Sequence, residues 1–92
     1  MKSYRTKSFK KLFDDLPEEV QVLARKNYRL WKENNAHPGL QFKQVLDDPS
    51  TYSVRVGLHY RCLGIKKDDA IYWFWIGSHA AYDKVIQQLR KS

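Results

Sequence analysis

The run from Tyr52 to Ile76 constrains this chain more than any other feature. Tyr52, Val54 and Val56 alternate with Ser53 and Arg55, the pattern of a half-buried strand. Gly57-Leu58-His59 interrupts it, and a second strand comes next, from about Tyr60 to Ile65. Lys66-Lys67-Asp68-Asp69 forms the next turn, and Ala70 to Ile76 is continuously apolar. A run of that kind is covered on both faces and therefore central. Strands joined by turns this short pair antiparallel. The segment thus commits the chain to a small antiparallel sheet.

The first half reads as helix. Residues 2–7 are basic and form either a short edge strand or a frayed arm. Ser8 reads as the N-cap of a short helix carrying Phe9, Leu12, Phe13 and Leu16. Pro17 suits the first turn of a second helix, where Glu18 and Glu19 complement the positive helix end. Val20, Leu23, Ala24 and Trp31 place a buried stripe on that helix. Asn34-Asn35 and His37-Pro38-Gly39 end it. These two helices form an αα-hairpin. Residues 41–46 read as a further strand, and Asp47-Asp48-Pro49-Ser50 as a loop. Ser78 reads as the N-cap of a last helix from about His79 to Arg90. The fold class is α+β: an N-terminal αα-hairpin and a C-terminal helix packed on a small antiparallel sheet. The whole length, 1–92, makes a single domain.

The hairpin sets the register. A three-residue loop at Gly57-Leu58-His59 is a common form, and it places Arg55 directly opposite Arg61. Tyr52, Val54, Val56, Tyr60 and Cys62 then share the apolar face. Continued through the next turn, the same alternation sends Ile71, Trp73 and Trp75 to the apolar face. Tyr72, Phe74 and Ile76 go to the arginine face. Like charges opposite one another cost a few tenths to about 1 kcal/mol, a cost relieved when an anion lies between them. The alternatives are that Asp83 or another carboxylate neutralises the pair, or that both guanidinium groups splay into water.

Charge narrows the partners. Lys and Arg number 17 against 10 Asp and Glu, a net charge of +7, which suits a polyanion such as RNA or an acidic protein. The one cysteine, Cys62, permits no internal disulfide and fits a reducing cytoplasm. No apolar run is long enough to span a membrane, and the basic MKSYRTKSFKK does not lead into the apolar segment of a signal peptide. There is no clustered set of carboxylates for a metal-ion nuclease. No CxxC, HExxH, GxSxG or phosphate-cradling glycine loop occurs. Neither a metal nor another cofactor is expected.

His79 and Tyr82, spaced i, i+3, share one face of the last helix, and Asp83 is placed to hold the His79 ring. Cleavage of RNA by attack of its 2′-hydroxyl needs a base, an acid and positive charge at the phosphate. Histidine and tyrosine serve the first two, and arginine the third. The competing reading of His79 is a helix-start residue bonded locally. His37 and His59 lie in loops.

The Tyr52-Ser53-Val54-Arg55-Val56 and Tyr60-Arg61-Cys62-Leu63 strands, and the Trp75-Ile76-Gly77-Ser78-His79 end, resemble the RelE/ParE toxin superfamily of bacterial type II toxin–antitoxin modules. The likeness extends from Phe9-Lys10-Lys11-Leu12 to Tyr82-Asp83-Lys84-Val85. It implies a RelE-like fold and a cytoplasmic toxin neutralised by a cognate antitoxin. In the RelE branch, the toxin enters the ribosomal A site and cuts mRNA without a metal. On that resemblance Arg61 is the phosphate-binding arginine and Arg55 a basic partner on the preceding strand. His79 and Tyr82 fall in the region that supplies the acid–base groups. Apart from the resemblance, Lys43, His59 and the basic N-terminal arm are expected to contact RNA. Two positions depart from the pattern: Ser53 stands where some members carry lysine, and the His79-Ala80-Ala81-Tyr82 spacing differs. The ParE branch has the same fold and poisons gyrase, so a gyrase poison or an inactive binding protein is the alternative.

Overall fold

The computed structural model describes residues 1–91. Its elements run β1 (Lys2–Arg5), α1 (Lys7–Asp14), α2 (Glu18–Glu33), a 3-10 turn at Pro38–Leu40, β2 (Lys43–Leu46), β3 (Thr51–Val56), β4 (Tyr60–Lys67), β5 (Ala70–Ser78) and α3 (His79–Lys91). The five strands form one sheet in the order β1-β5-β4-β3-β2. The basic N-terminus is the edge strand, and it runs parallel to β5. All other pairs are antiparallel. Residues 41 and 42, expected to be strand, instead lead out of the 3-10 turn.

Local chemistry sets the helices. Thr6, not Ser8, caps α1: its Oγ1 accepts the Phe9 N–H at 3.2 Å. Ser8 lies inside the helix, and its hydroxyl donates to the Phe74 carbonyl. Pro17 is the N-cap of α2 rather than its first residue. The Gln21 side-chain amide donates to the carbonyls of Phe13, Asp14 and Leu16. It thus bonds carbonyls at and just beyond the end of α1 and ties the αα-hairpin together.

The helical hairpin covers one face of the sheet. Phe9, Phe13, Trp31, Leu40, Val54, Val56, Cys62, Ile71, Trp73 and Ile76 form the core. Trp31 packs edge-on against Trp73 and Phe42, with ring centroids 5.4 and 5.7 Å apart. Burial pushes the Cys62 thiol well above its ordinary pKa, so it stays protonated and packs as a small hydrophobe.

Glycine is required at Gly57 and at Gly64. Gly57 adopts φ +63° in the loop between Val56 and Tyr60, and a Cβ there would stand 2.5 Å from Leu23 Cδ2. The Arg55–Arg61 pairing that this loop predicts is present. Gly64 pairs with Trp73, whose ring lies so close that a Cβ would come within 2.7 Å of it.

Beside Gly64 the expected alternation breaks. Leu63 pairs with Trp75 and Gly64 with Trp73, so Phe74 is the extra residue of a β-bulge. The one-residue slip exchanges the faces of the residues beyond it. Trp75, expected on the apolar face, joins Arg61. Ile76, expected beside the arginines, enters the core at 2% exposure. Tyr72, upstream of the bulge, lies on the arginine face as expected. Among the described residues, no helix is long and apolar enough to cross a membrane.

Candidate active site

The second face of the sheet carries α3 and, at the end where α3 starts, both arginines. Ser78 caps that helix, its Oγ accepting the Ala81 N–H at 3.2 Å. The His79 N–H donates to the His59 carbonyl at 2.8 Å, pinning the helix start to the β3–β4 loop. The helix start is therefore fixed to the sheet end, with Tyr82 beside Arg61.

Arg61 is the centre of the cluster. Its Nη2 donates to Gln41 Oε1 at 3.1 Å. Its Cζ lies 5.8 Å from the centroid of the Tyr82 ring, within cation–π range. Its Nη1 is shielded from solvent and has no acceptor. A buried donor on a charged group without a partner is costly and calls for a specific cause. Among the described residues, no carboxylate makes an ion pair with Arg61 or Arg55. Asp83, the alternative counter-charge, lies instead 3.6 Å from His79 Nδ1. Arg55 turns along the hairpin, with Nε donating to the Gly57 carbonyl at 2.9 Å. The arrangement presents positive charge without a protein counter-ion among the described residues.

Tyr82 joins the remaining groups. The His79 and Tyr82 rings meet edge-on at 5.7 Å, and Trp75, brought over by the bulge, lies 6.5 Å from Tyr82. Tyr82 thus touches both Arg61 and His79, while the His79 ring is turned to Asp83. Lys43 pairs with Ser53 and so lies on the arginine face, beside the position preceding Arg55 by two. His59 contributes its backbone; His37 serves its own loop, Nδ1 accepting the Gly39 N–H at 3.1 Å.

Sequence reasoning missed Gln41. It leaves the 3-10 turn in a left-handed conformation, φ 47° and ψ 45°, uncommon for a residue with a side chain. Only the loop geometry brings it to Arg61, and the Pro38-Gly39 signal for that loop gives no hint of direction. Among the described residues, no group of His, Cys, Asp or Glu is arranged to hold a metal ion.

Three helices on a five-stranded, mostly antiparallel sheet with this order are the fold of the RelE-like toxins. The structure superposes on that of the toxin in a RelB–RelE antitoxin–toxin complex from Methanococcus jannaschii with a TM-score of 0.70 at 17% identity, covering 89% of this chain and 96% of that one. A copper-bound mutant toxin from Helicobacter pylori gives 0.62 at 22% identity, covering 88% and 97%. An archaeal RelE–RelB complex from Pyrococcus horikoshii gives 0.60 at 18%, covering 84% and 92%. No curated protein matches the sequence significantly. The family model for ParE-like toxin domains matches residues 18–84. The chain belongs to that family, and so to the RelE/ParE superfamily of toxins from type II toxin–antitoxin systems.

Proposed function

We propose that this toxin is a ribosome-dependent mRNA endoribonuclease acting in the cytoplasm. The observation that carries the reading is Arg61. Its guanidinium is oriented by Gln41, stacked over Tyr82, free of any carboxylate, and left with a shielded Nη1 that has no acceptor. A phosphate supplies the counter-charge that no carboxylate among the described residues provides. In the reaction, the 2′-hydroxyl attacks the adjacent phosphorus as a base removes its proton. The P–O5′ bond breaks as an acid protonates the leaving oxygen, giving a 2′,3′-cyclic phosphate and a 5′-hydroxyl end. His79 and Tyr82 share the two proton transfers, and Arg61 with Arg55 stabilises charge on the phosphoryl oxygens. Lys43 and His59 line the RNA path. His79→Ala or Tyr82→Phe is expected to slow single-turnover cleavage on ribosomes by at least about tenfold, with ribosome affinity little changed. Wild-type rates in both variants would remove these residues from proton transfer.

The partner in this reading is a cognate antitoxin, as RelB is for RelE in the solved complexes. A groove of about 510 Å³ between the helical hairpin and the sheet suits it. Its floor includes Phe9, Phe13 and Trp31, and Arg5, Arg25 and Arg29 also line it. Apolar anchors and acidic side chains on one amphipathic segment complement such a groove.

A second reading, a gyrase poison, is favoured by the match to the ParE-like family model. Induced expression distinguishes them. The ribonuclease reading expects growth arrest with loss of protein synthesis and intact DNA supercoiling, relieved by co-expressing the adjacent small gene. Inhibited supercoiling with intact mRNA supports the gyrase reading. Normal growth at confirmed soluble expression would contradict both.

A further inference from the structure

A pair of tyrosines lies on the arginine face, away from the site already described. Tyr4 of β1 and Tyr72 of β5 are direct register partners. Their rings stack with centroids 5.1 Å apart and planes 17° from parallel. Both stay open to solvent, at 47% and 39% exposure. Tyr72 lies between Ile71 and Trp73, both in the core, so its ring must leave the sheet on the opposite face. Arg55 lies between Val54 and Val56 in the same way. The tyrosines and the arginines therefore share a face.

Charge marks the same place. Lys2, Ala70 and Lys67 form the next register row across β1, β5 and β4. Two residues from Tyr4 and from Tyr72, respectively, Lys2 and Ala70 face the same way. Lys67, as the register partner of Ala70, does too. Among the described residues neither lysine has an ion-pair partner. Two stacked, exposed rings beside two unpaired ammonium groups match a single strand of nucleic acid: bases stack on the rings while phosphates meet the lysines. An edge strand also gains stability from a cross-strand aromatic pair, but that role does not require exposed rings or unpaired lysines.

Distance relates this patch to the reaction. Gly77 is the register partner of Arg61, and the stretch of β5 from Tyr72 to Gly77 spans roughly 16 Å at about 3.3 Å per residue. Trp75 and Tyr82 occupy the same face along that stretch. α3 packs on that face of β4 and β5, so an extended strand of a few nucleotides covers the span by passing beside the helix.

We propose that Tyr4 and Tyr72, flanked by Lys2 and Lys67, form a stacking platform for single-stranded RNA a few nucleotides away from the phosphate held by Arg61. The proposal rests on the ribonuclease reading, which places a phosphate at Arg61. The platform fixes the strand without reading its sequence, because every base offers a π-face.

The test is equilibrium binding of a non-cleavable 2′-O-methyl RNA octanucleotide and of the matching dinucleotide to the purified protein. Tyr4→Ala and Tyr72→Ala are expected to weaken the octanucleotide about tenfold and to leave the dinucleotide unchanged. Arg61→Ala weakens both. The double variant Lys2→Gln, Lys67→Gln removes no packing, so it tests the platform even if a tyrosine variant folds poorly. Its slope of log affinity against log salt should fall by about 1.4. Octanucleotide binding that depends on Arg61 but not on either tyrosine or the lysine pair would overturn the platform and leave the Arg61 site standing. Failure of the wild-type protein to bind either RNA would overturn the platform, while the ribonuclease reading, which needs the ribosome, stands or falls by cleavage of mRNA on ribosomes.

Discussion

Arg61→Ala is expected to reduce single-turnover cleavage of ribosome-bound mRNA by about 10²–10³-fold, the usual effect of removing one preorganised donor to developing charge. Stability should hardly change. The lost guanidinium has a buried Nη1 with no acceptor, and its one hydrogen bond goes to a side chain, Gln41. Removing a poorly satisfied charge relieves desolvation as it gives up packing. Arg61→Lys should recover only part of the rate. Lysine keeps the charge but not the planar guanidinium whose Nη2 Gln41 holds and whose face lies over Tyr82. The pair of measurements is cleavage rate on purified ribosomes and a urea melt. A variant that cleaves within a few fold of wild type would show that the phosphate lies elsewhere.

The largest effect on stability is expected at Trp73. Its ring is 4% exposed, lies over Gly64 and packs against Trp31. Its Nε1 donates to Ser3 Oγ at 2.9 Å. Trp73→Ala empties the middle of the core and releases the tie to β1, at a cost of about 3–5 kcal/mol. A domain of this size has only about 5–14 kcal/mol in all. Denaturant titration checks this: the midpoint should collapse, and a loss below about 1 kcal/mol would mean that the core is not organised around this ring.

The sequence and the structure agree where a single physical rule dominates. The Gly57 loop length leaves one register that buries Val54, Val56 and Cys62 together, and that register puts Arg55 opposite Arg61. The Ser78 cap and the His79–Tyr82 spacing likewise arise from local geometry. Alternation fails from Phe74 onward because a bulge is settled by packing across the sheet. The Trp73 ring needs the space over Gly64, and an apolar run of Trp, Phe, Trp and Ile looks the same in either phase. Thr6 displaced Ser8 as a cap because both are good caps two residues apart. Pairing of Lys2–Arg5 along β5 decided between them by drawing Thr6 against Trp73, its N–H donating to that carbonyl. Gln41 was invisible for a different reason. Its part in the site comes from the path of a loop twenty residues away from Arg61, and no periodicity encodes that path.

The most direct measurement is the mapping of mRNA 5′ ends after purified toxin is added to ribosomes programmed with a defined message. The ribonuclease account predicts new ends within the ribosomal A site, no cleavage of the same RNA without ribosomes, and no ends with Arg61→Ala. Intact mRNA at toxin concentrations that arrest DNA gyrase would contradict it.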